Sequence, residues 1–181
     1  MKFNPEKHHR RSIRLKDYDY AAAGAYFVTI CTHNKRCIFG DVMVGNMILN
    51  HFGEIVETEW LKTFDIRKNL IPDEYIIMPN HFHAIIVIDE SCRGTLQRAP
   101  TTYGRFGKPV SNSIPTILRL FKASVTKRIN NIRATPGLRV WQRNYYEHII
   151  RDEKDLQKTR GYIVTNPLKW DLDFENPNNI S

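Results

Sequence analysis

Residues 75–88 read Tyr-Ile-Ile-Met-Pro-Asn-His-Phe-His-Ala-Ile-Ile-Val-Ile, and they constrain the fold more than any other stretch. Two apolar runs, 75–78 and 82–88, flank Pro79-Asn80, a pattern that predicts two strands joined by a tight turn. The second run is apolar on both faces, as a central strand covered on both sides must be. With a period of two, His81 and His83 share one face and Phe82 turns into the opposite layer. Their Cα atoms then lie about 6–7 Å apart, within reach of one shared cation. The pair alone also suits a plainer role, one ring solvated and the other bonded to backbone. An eight-stranded α/β barrel, another setting for His-x-His, needs more than 181 residues.

Charge is informative by position. The formal net charge is +8, yet residues 91–150 carry 11 basic groups against the single acid Glu147. Such an imbalance is the electrostatic footprint of a polyanion partner, with nucleic acid first among them. No apolar run reaches membrane-spanning length and no signal-peptide pattern opens the chain, so neither membrane nor export is expected. Cys31, Cys37 and Cys92 are odd in number and lack zinc-ribbon spacing, which predicts reduced thiols in a cytoplasm.

Along the chain, residues 1–24 form a basic arm with Lys7, Arg10, Arg11, Arg14 and Lys16, suited to lie along a phosphate backbone. Residues 25–32 predict a strand. Short strand pieces follow at 38–39 and 42–44, and Gly45-Asn46 predicts a turn into 47–49. Asn50 caps an amphipathic helix over 51–63 with Phe52, Val56 and Trp60 inward. Residues 91–113 predict a long basic loop inserted in the domain, whose Tyr103 and Phe106 could stack on bases. Ser113 then caps a helix with the apolar stripe Ile114, Leu118, Phe121, Val125, Ile129 and Ile132. Arg119 and Lys122 beside that stripe are candidate DNA contacts. Residues 140–150 read as extended, and Asp152 caps a last helix over 153–166 that Pro167 ends. The catalytic body is expected over 25–175, and 176–181 are a tail.

The last helix supplies a partner for the histidines. Tyr162 and Asn166 are one turn apart on one face, and Asn166 stands at the helix C-terminus, where the macrodipole favours a cation. Gly161 loosens the turn bearing the tyrosine by about 1 kcal/mol relative to Ala. Tyr145 and Tyr146 are neighbours in an extended segment, so at most one of them faces the histidine pair.

Met-Pro-Asn-His-Phe-His at 78–83 resembles the His-hydrophobic-His signature of the HUH nucleases, specifically the single-tyrosine transposases of insertion sequences. The resemblance extends to Trp-Gln-Arg-Asn-Tyr-Tyr-Glu-His-Ile-Ile-Arg at 141–151 and Tyr-Ile-Val-Thr-Asn-Pro at 162–167. The opening Arg-Ser-Ile-Arg-Leu-Lys-Asp-Tyr-Asp-Tyr at 11–20 is similar to the REP-associated tyrosine transposases, a branch thought to act on palindromic repeats. It covers roughly residues 10–175 and implies an α+β fold: a central antiparallel sheet with helices packed on it, ferredoxin- or RRM-like. It also implies His81 and His83 as metal ligands, Tyr162 as nucleophile, and Asn166 where simpler relatives carry a Gln ligand. Glu147 and His148 are further candidates for a third ligand or a group behind the ligands. The expected cofactor is Mg²⁺ or Mn²⁺, since no thiolate belongs to the set. The expected partner is single-stranded or hairpin DNA, cut and rejoined through a 5′-phosphotyrosine by a monomer or homodimer, cytoplasmic and nucleoid-associated when bound to DNA. Two alternatives use the same surfaces: a hairpin-DNA-binding regulator without catalysis, and a metal-dependent phosphodiesterase that uses water.

Overall fold

The computed structural model describes residues 18–89 and 110–179. The expectations for Arg10, Arg11 and Arg14, and for Tyr103 and Phe106, lie outside the described residues. Six strands and three α-helices follow in order: β1 Gly24–Cys31, β2 Gly40–Met43, β3 Asn46–Leu49, α1 His51–Ile66, β4 Leu70–Ile77, β5 His81–Ile88, α2 Ile114–Arg133, β6 Tyr146–Ile150 and α3 Glu153–Thr165. The main sheet has the order β4-β5-β1-β6 with every pair antiparallel, and β2 and β3 form a separate hairpin. This is the α+β architecture expected from the sequence, and the doubly apolar β5 is central as its pattern requires. Among the described residues no helix is long and apolar enough to cross a membrane.

The alternation of side chains divides the sheet into two unequal layers. Tyr26, Val28 and Ile30 of β1 and Phe82, Ala84, Ile86 and Ile88 of β5 point to one face, where α1 and α2 cover them. Trp60 is fully buried there, its ring centroid 4.8 Å from Phe82 and 5.3 Å from Phe121. Each fully enclosed Ile or Phe stabilises by about 1.5–3 kcal/mol, so this layer holds the domain together. The other face carries only a small apolar cluster, Phe27, Ile85, Ile150 and Ile163, beneath α3. That thin layer leaves room for polar groups between sheet and helix.

Several local expectations shift for identifiable reasons. The β2–β3 turn is Val44-Gly45 rather than Gly45-Asn46: both turn residues have positive φ, and Asn46 belongs to β3. Asn50 caps α1 as expected, accepting from the backbone N–H groups of Phe52 and Gly53. Ser113 stands before α2 but does not cap it; its hydroxyl donates to the Val110 carbonyl at 2.8 Å. Ile132 keeps the 3.6-residue spacing but lies in the last turn of α2 and is half exposed, and Ile117 is buried beside the stripe. Of the extended 140–150 segment only Tyr146–Ile150 is a strand, with Trp141 making one bridge to Thr32. Residues 18–23, assigned with the arm, pack on the body: Tyr20 is buried beside Tyr26, and its carbonyl accepts from Ile114 N–H.

Candidate active site

The β4–β5 turn seats the first histidine. Asn80 is fully buried, and its amide N–H groups donate to the carbonyls of Lys35 and Glu175, at 3.1 and 2.6 Å. That fixes the amide oxygen toward His81, whose Nδ1 lies 2.9 Å away. A carbonyl oxygen only accepts, so Nδ1 carries the proton and Nε2 keeps its lone pair. That Nε2 is buried without a hydrogen-bond partner. His83 is held from β1: Thr29, its cross-strand neighbour, places Oγ1 2.8 Å from His83 Nδ1. The ring stacks on Phe27 with centroids 5.4 Å apart, and the two imidazoles are 4.5 Å apart.

Both histidines are buried, and desolvation holds His81 below its ordinary value and His83 well below it. The positive charge that either would carry opposes the other. Near neutral pH both are therefore neutral, the form that ligates a metal.

Helix α3 brings the tyrosine to them. Asp152 caps it by accepting from Asp155 N–H. Ile163 faces the sheet, and Arg160 grips Asp73 of β4 through two bonds of 2.9 and 2.6 Å. Tyr162 Oη then stands 3.4 Å from His83 Nε2, within one chain. Burial raises the phenol above its ordinary value, and the nearby Asp173 carboxylate pushes the same way. Tyr162 remains 45% exposed, open to a ligand from solvent. Asn166 is buried at the end of α3 beside His81 and Tyr162, with its Oδ1 unpartnered. Trp170, in the 3-10 segment Pro167–Leu172, closes the far side of His81 at 6.0 Å.

Other sequence candidates fall elsewhere. Register pairs Glu147 with Val28, which puts it on the α1/α2 face of the sheet, away from the histidines. It is not a group behind the ligands, because a one-residue step in a strand reverses the face. His148 lies on the histidine face, but its Nε2 bonds Asp155 of α3 at 2.7 Å. Of the two adjacent tyrosines, Tyr146 shares the face of His83 through Thr29. Lys122 does not present a free charge: its ammonium donates to the carbonyls of Gln142, Arg143 and Asn144. Burial lowers it to about 8. It fastens the irregular segment before β6. Arg119 is exposed, but α2 covers the sheet face opposite the histidines. Sequence reasoning missed Thr29 and Asp173 and took Asn80 only as a turn residue. Their roles come from contacts across strands and between distant segments, which no local spacing encodes.

The donor set suits a divalent cation. His81 Nε2 and Asn166 Oδ1 are buried acceptors without partners, and His83 Nε2 has only the phenol beside it. Unpaired buried acceptors are costly, by about 1–3 kcal/mol each, unless a ligand satisfies them. Two imidazoles and an amide oxygen, with no thiolate, form a borderline donor set that could hold a first-row divalent cation. Among the described residues no group of three or more His, Cys, Asp or Glu side chains could hold a metal.

An α+β sheet with a paired histidine on its central strand, facing a tyrosine from a covering helix, defines the scaffold. No protein-family model matches the chain. An uncharacterised protein of Haemophilus influenzae is 44% identical over 176 residues, spanning 95% of this chain and 96% of that protein, and the chain belongs to one family with it. A second protein of the same organism, named "Putative REP-associated tyrosine transposase", is 29% identical over 151 residues, 83% of this chain and 74% of that one. A solved structure of a REP-associated tyrosine transposase bound to a REP hairpin shares the fold over 88% of this chain and 74% of its own, with a TM-score of 0.53 and 18% identity. In sequence and in fold, the chain resembles the REP-associated tyrosine transposases.

Proposed function

We propose that this protein is a transposase-type nuclease that cuts and rejoins single-stranded or hairpin DNA through Tyr162, with Mg²⁺ or Mn²⁺ held by His81, His83 and Asn166. The observation that carries the reading is the phenol oxygen of Tyr162 3.4 Å from His83 Nε2, beside two buried, unpartnered acceptors. The hairpin bound by the structural relative supports the choice of DNA.

Tyr162 Oη attacks the scissile phosphorus, and the bond to the 3′-oxygen breaks. The phenol gives up its proton and the departing 3′-oxygen gains one, leaving a 5′-phosphotyrosine and a free 3′-hydroxyl. Rejoining is the reverse, attack of a 3′-hydroxyl on the phosphotyrosine, so no nucleotide hydrolysis is needed. Bound at the three ligands, a divalent cation supplies positive charge that offsets the scissile phosphate and favours the ionised phenol. Asn80 holds His81 in the tautomer that leaves Nε2 its lone pair, and Thr29 orients the ring of His83. The half-exposed phenol admits a flexible strand, which a base-paired duplex is too stiff to supply.

The test is a denaturing gel of the protein with labelled single-stranded and hairpin oligonucleotides, with Mn²⁺ or Mg²⁺ and with chelator. The expected product is a protein–DNA adduct that survives denaturation and disappears with chelator. His81→Ala and His83→Ala should abolish it while leaving DNA binding largely intact. Cut DNA without any adduct would mean water is the nucleophile, and binding without cutting would mean a regulator.

A further inference from the structure

The Asn166 amide has two orientations of nearly equal shape and opposite polarity. In the one present, Nδ2 donates to Asp173 Oδ2 at 3.3 Å, which leaves Oδ1 unpartnered and buried. The other orientation would turn the N–H groups toward His81, whose Nε2 is an unpartnered acceptor because Nδ1 donates to Asn80. On the histidine side alone, that second orientation is the better one, since it gives His81 Nε2 a donor that the observed one withholds. What opposes the turn is Asp173, since a carboxylate accepts only and would face the amide oxygen if Asn166 rotated. The carboxylate is itself fixed: its Oδ1 accepts from Glu175 N–H at 2.7 Å, and the Asp173 backbone N–H bonds the Trp170 carbonyl at 3.1 Å. Asp173 lies seven residues beyond Asn166, past the 3-10 segment Pro167–Leu172, so the chain returns to the helix end to place it.

We infer that Asp173 is a positioning residue that keeps the Asn166 amide oxygen, rather than its NH₂ group, turned toward the histidines, and so makes Asn166 a cation ligand. The inference rests on the cation site proposed above. A residue behind a metal ligand commonly changes metal affinity by about 10–100-fold when replaced, through orientation alone. Asp173 has that relation to Asn166, as Asn80 has to His81. It differs from an ordinary structural contact in one respect: it holds an arrangement that is locally unfavourable until a cation binds.

Mn²⁺ titration of the intact protein, followed by electron paramagnetic resonance of the free ion, tests this alongside thermal unfolding of the metal-free protein. Asp173→Asn should weaken Mn²⁺ binding by about 10–100-fold without lowering the metal-free melting temperature, because the released amide can bond His81. A contact that only supports the fold would lower both. The exchange N166D/D173N rebuilds the pair with roles reversed: a carboxylate has no wrong orientation, so Mn²⁺ binding should return at least to the wild-type level. Asp173→Asn binding within about twofold of wild type, or an exchange variant that folds and stays weak, would overturn the inference. If instead the wild type binds Mn²⁺ no better than the variant carrying both His81→Ala and His83→Ala, the cation site itself is wrong.

Discussion

His81 and His83 sit neutral in a nearly dry wall between sheet and helix, and this has a consequence for stability. Each has its titration lowered by burial, so on acidification the unfolded chain takes up protons that the folded one refuses. The resulting destabilisation is absent above about pH 6.5, the ordinary histidine value. It grows as pH falls below that, by about 1.4 kcal/mol per pH unit for each proton until the folded value is reached. Denaturant unfolding of the metal-free protein across pH 7 to 5 should show this loss, and the double His81→Ala, His83→Ala variant should show a shallower slope. Equal slopes would mean the rings are hydrated. Lys122 yields a second expectation. Its ammonium serves three carbonyls, so Lys122→Met should cost about 1–3 kcal/mol while leaving the salt dependence of DNA binding unchanged. At this scale the ligand and nucleophile candidates were legible, because i,i+2 in a strand and i,i+4 in a helix fix faces. Asn80, Thr29 and Asp173 were not, since each acts on a residue brought near by pairing or chain return.

The elements differ in how firmly they are held. Helix α2 buries Ile117, Leu118, Phe121, Val125 and Ile129 in the main core, whereas α3 buries Thr159 and Ile163 and packs Leu156 only partly. Polar clamps at both edges of the sheet seat α3: His148–Asp155 from β6 and Arg160–Asp73 from β4. The helix that carries Tyr162 is therefore the least anchored part of the site. Gly161 contributes to this looseness. A Cβ added there meets nothing within 4 Å, so Gly161→Ala should stabilise the protein by about 0.5–1 kcal/mol, read as a higher melting temperature. If adduct formation slows in the same variant, mobility of that turn belongs to the reaction. The caps at Asn50 and Asp152, the strands β1 and β5 and the end of β4 from Tyr75 were legible from pattern, whereas Leu70–Glu74 of β4, interrupted by Pro72 and a register shift, were not. The β2–β3 register and the short β6 were not, because a turn shift of one residue and an irregular segment pinned by Lys122 leave no mark in periodicity.

At the scale of the whole molecule, among the described residues, the candidate basic contacts of α2 and the candidate site lie on opposite sides of the sheet. The histidine pair and Tyr162 occupy the α3 side of the sheet, and Arg119 stands on the α2 side, so a strand in the site does not reach it directly. The fold class was legible because the doubly apolar β5 requires cover on both faces, but the inequality of the two layers was not. Phosphate binding is expected to fall to the arm. Replacing Arg10, Arg11 and Arg14 together should flatten the plot of log affinity against log salt by about 0.7 for each phosphate no longer neutralised. An unchanged slope would remove the arm from the interface.

Tyr162 as nucleophile is the point on which the proposed chemistry stands, and digestion of the trapped protein–DNA adduct followed by mass spectrometry of the modified peptide reaches it directly. Tyr146 is the informative competitor, because it shares the face of His83 through Thr29, whereas Tyr162 brings its oxygen within 3.4 Å of that ring. The expected finding is a phosphotyrosyl nucleotide on the peptide containing Tyr162, absent in Tyr162→Phe and retained in Tyr146→Phe. A nucleotide on the peptide containing Tyr146, or an adduct that persists in Tyr162→Phe, would contradict it.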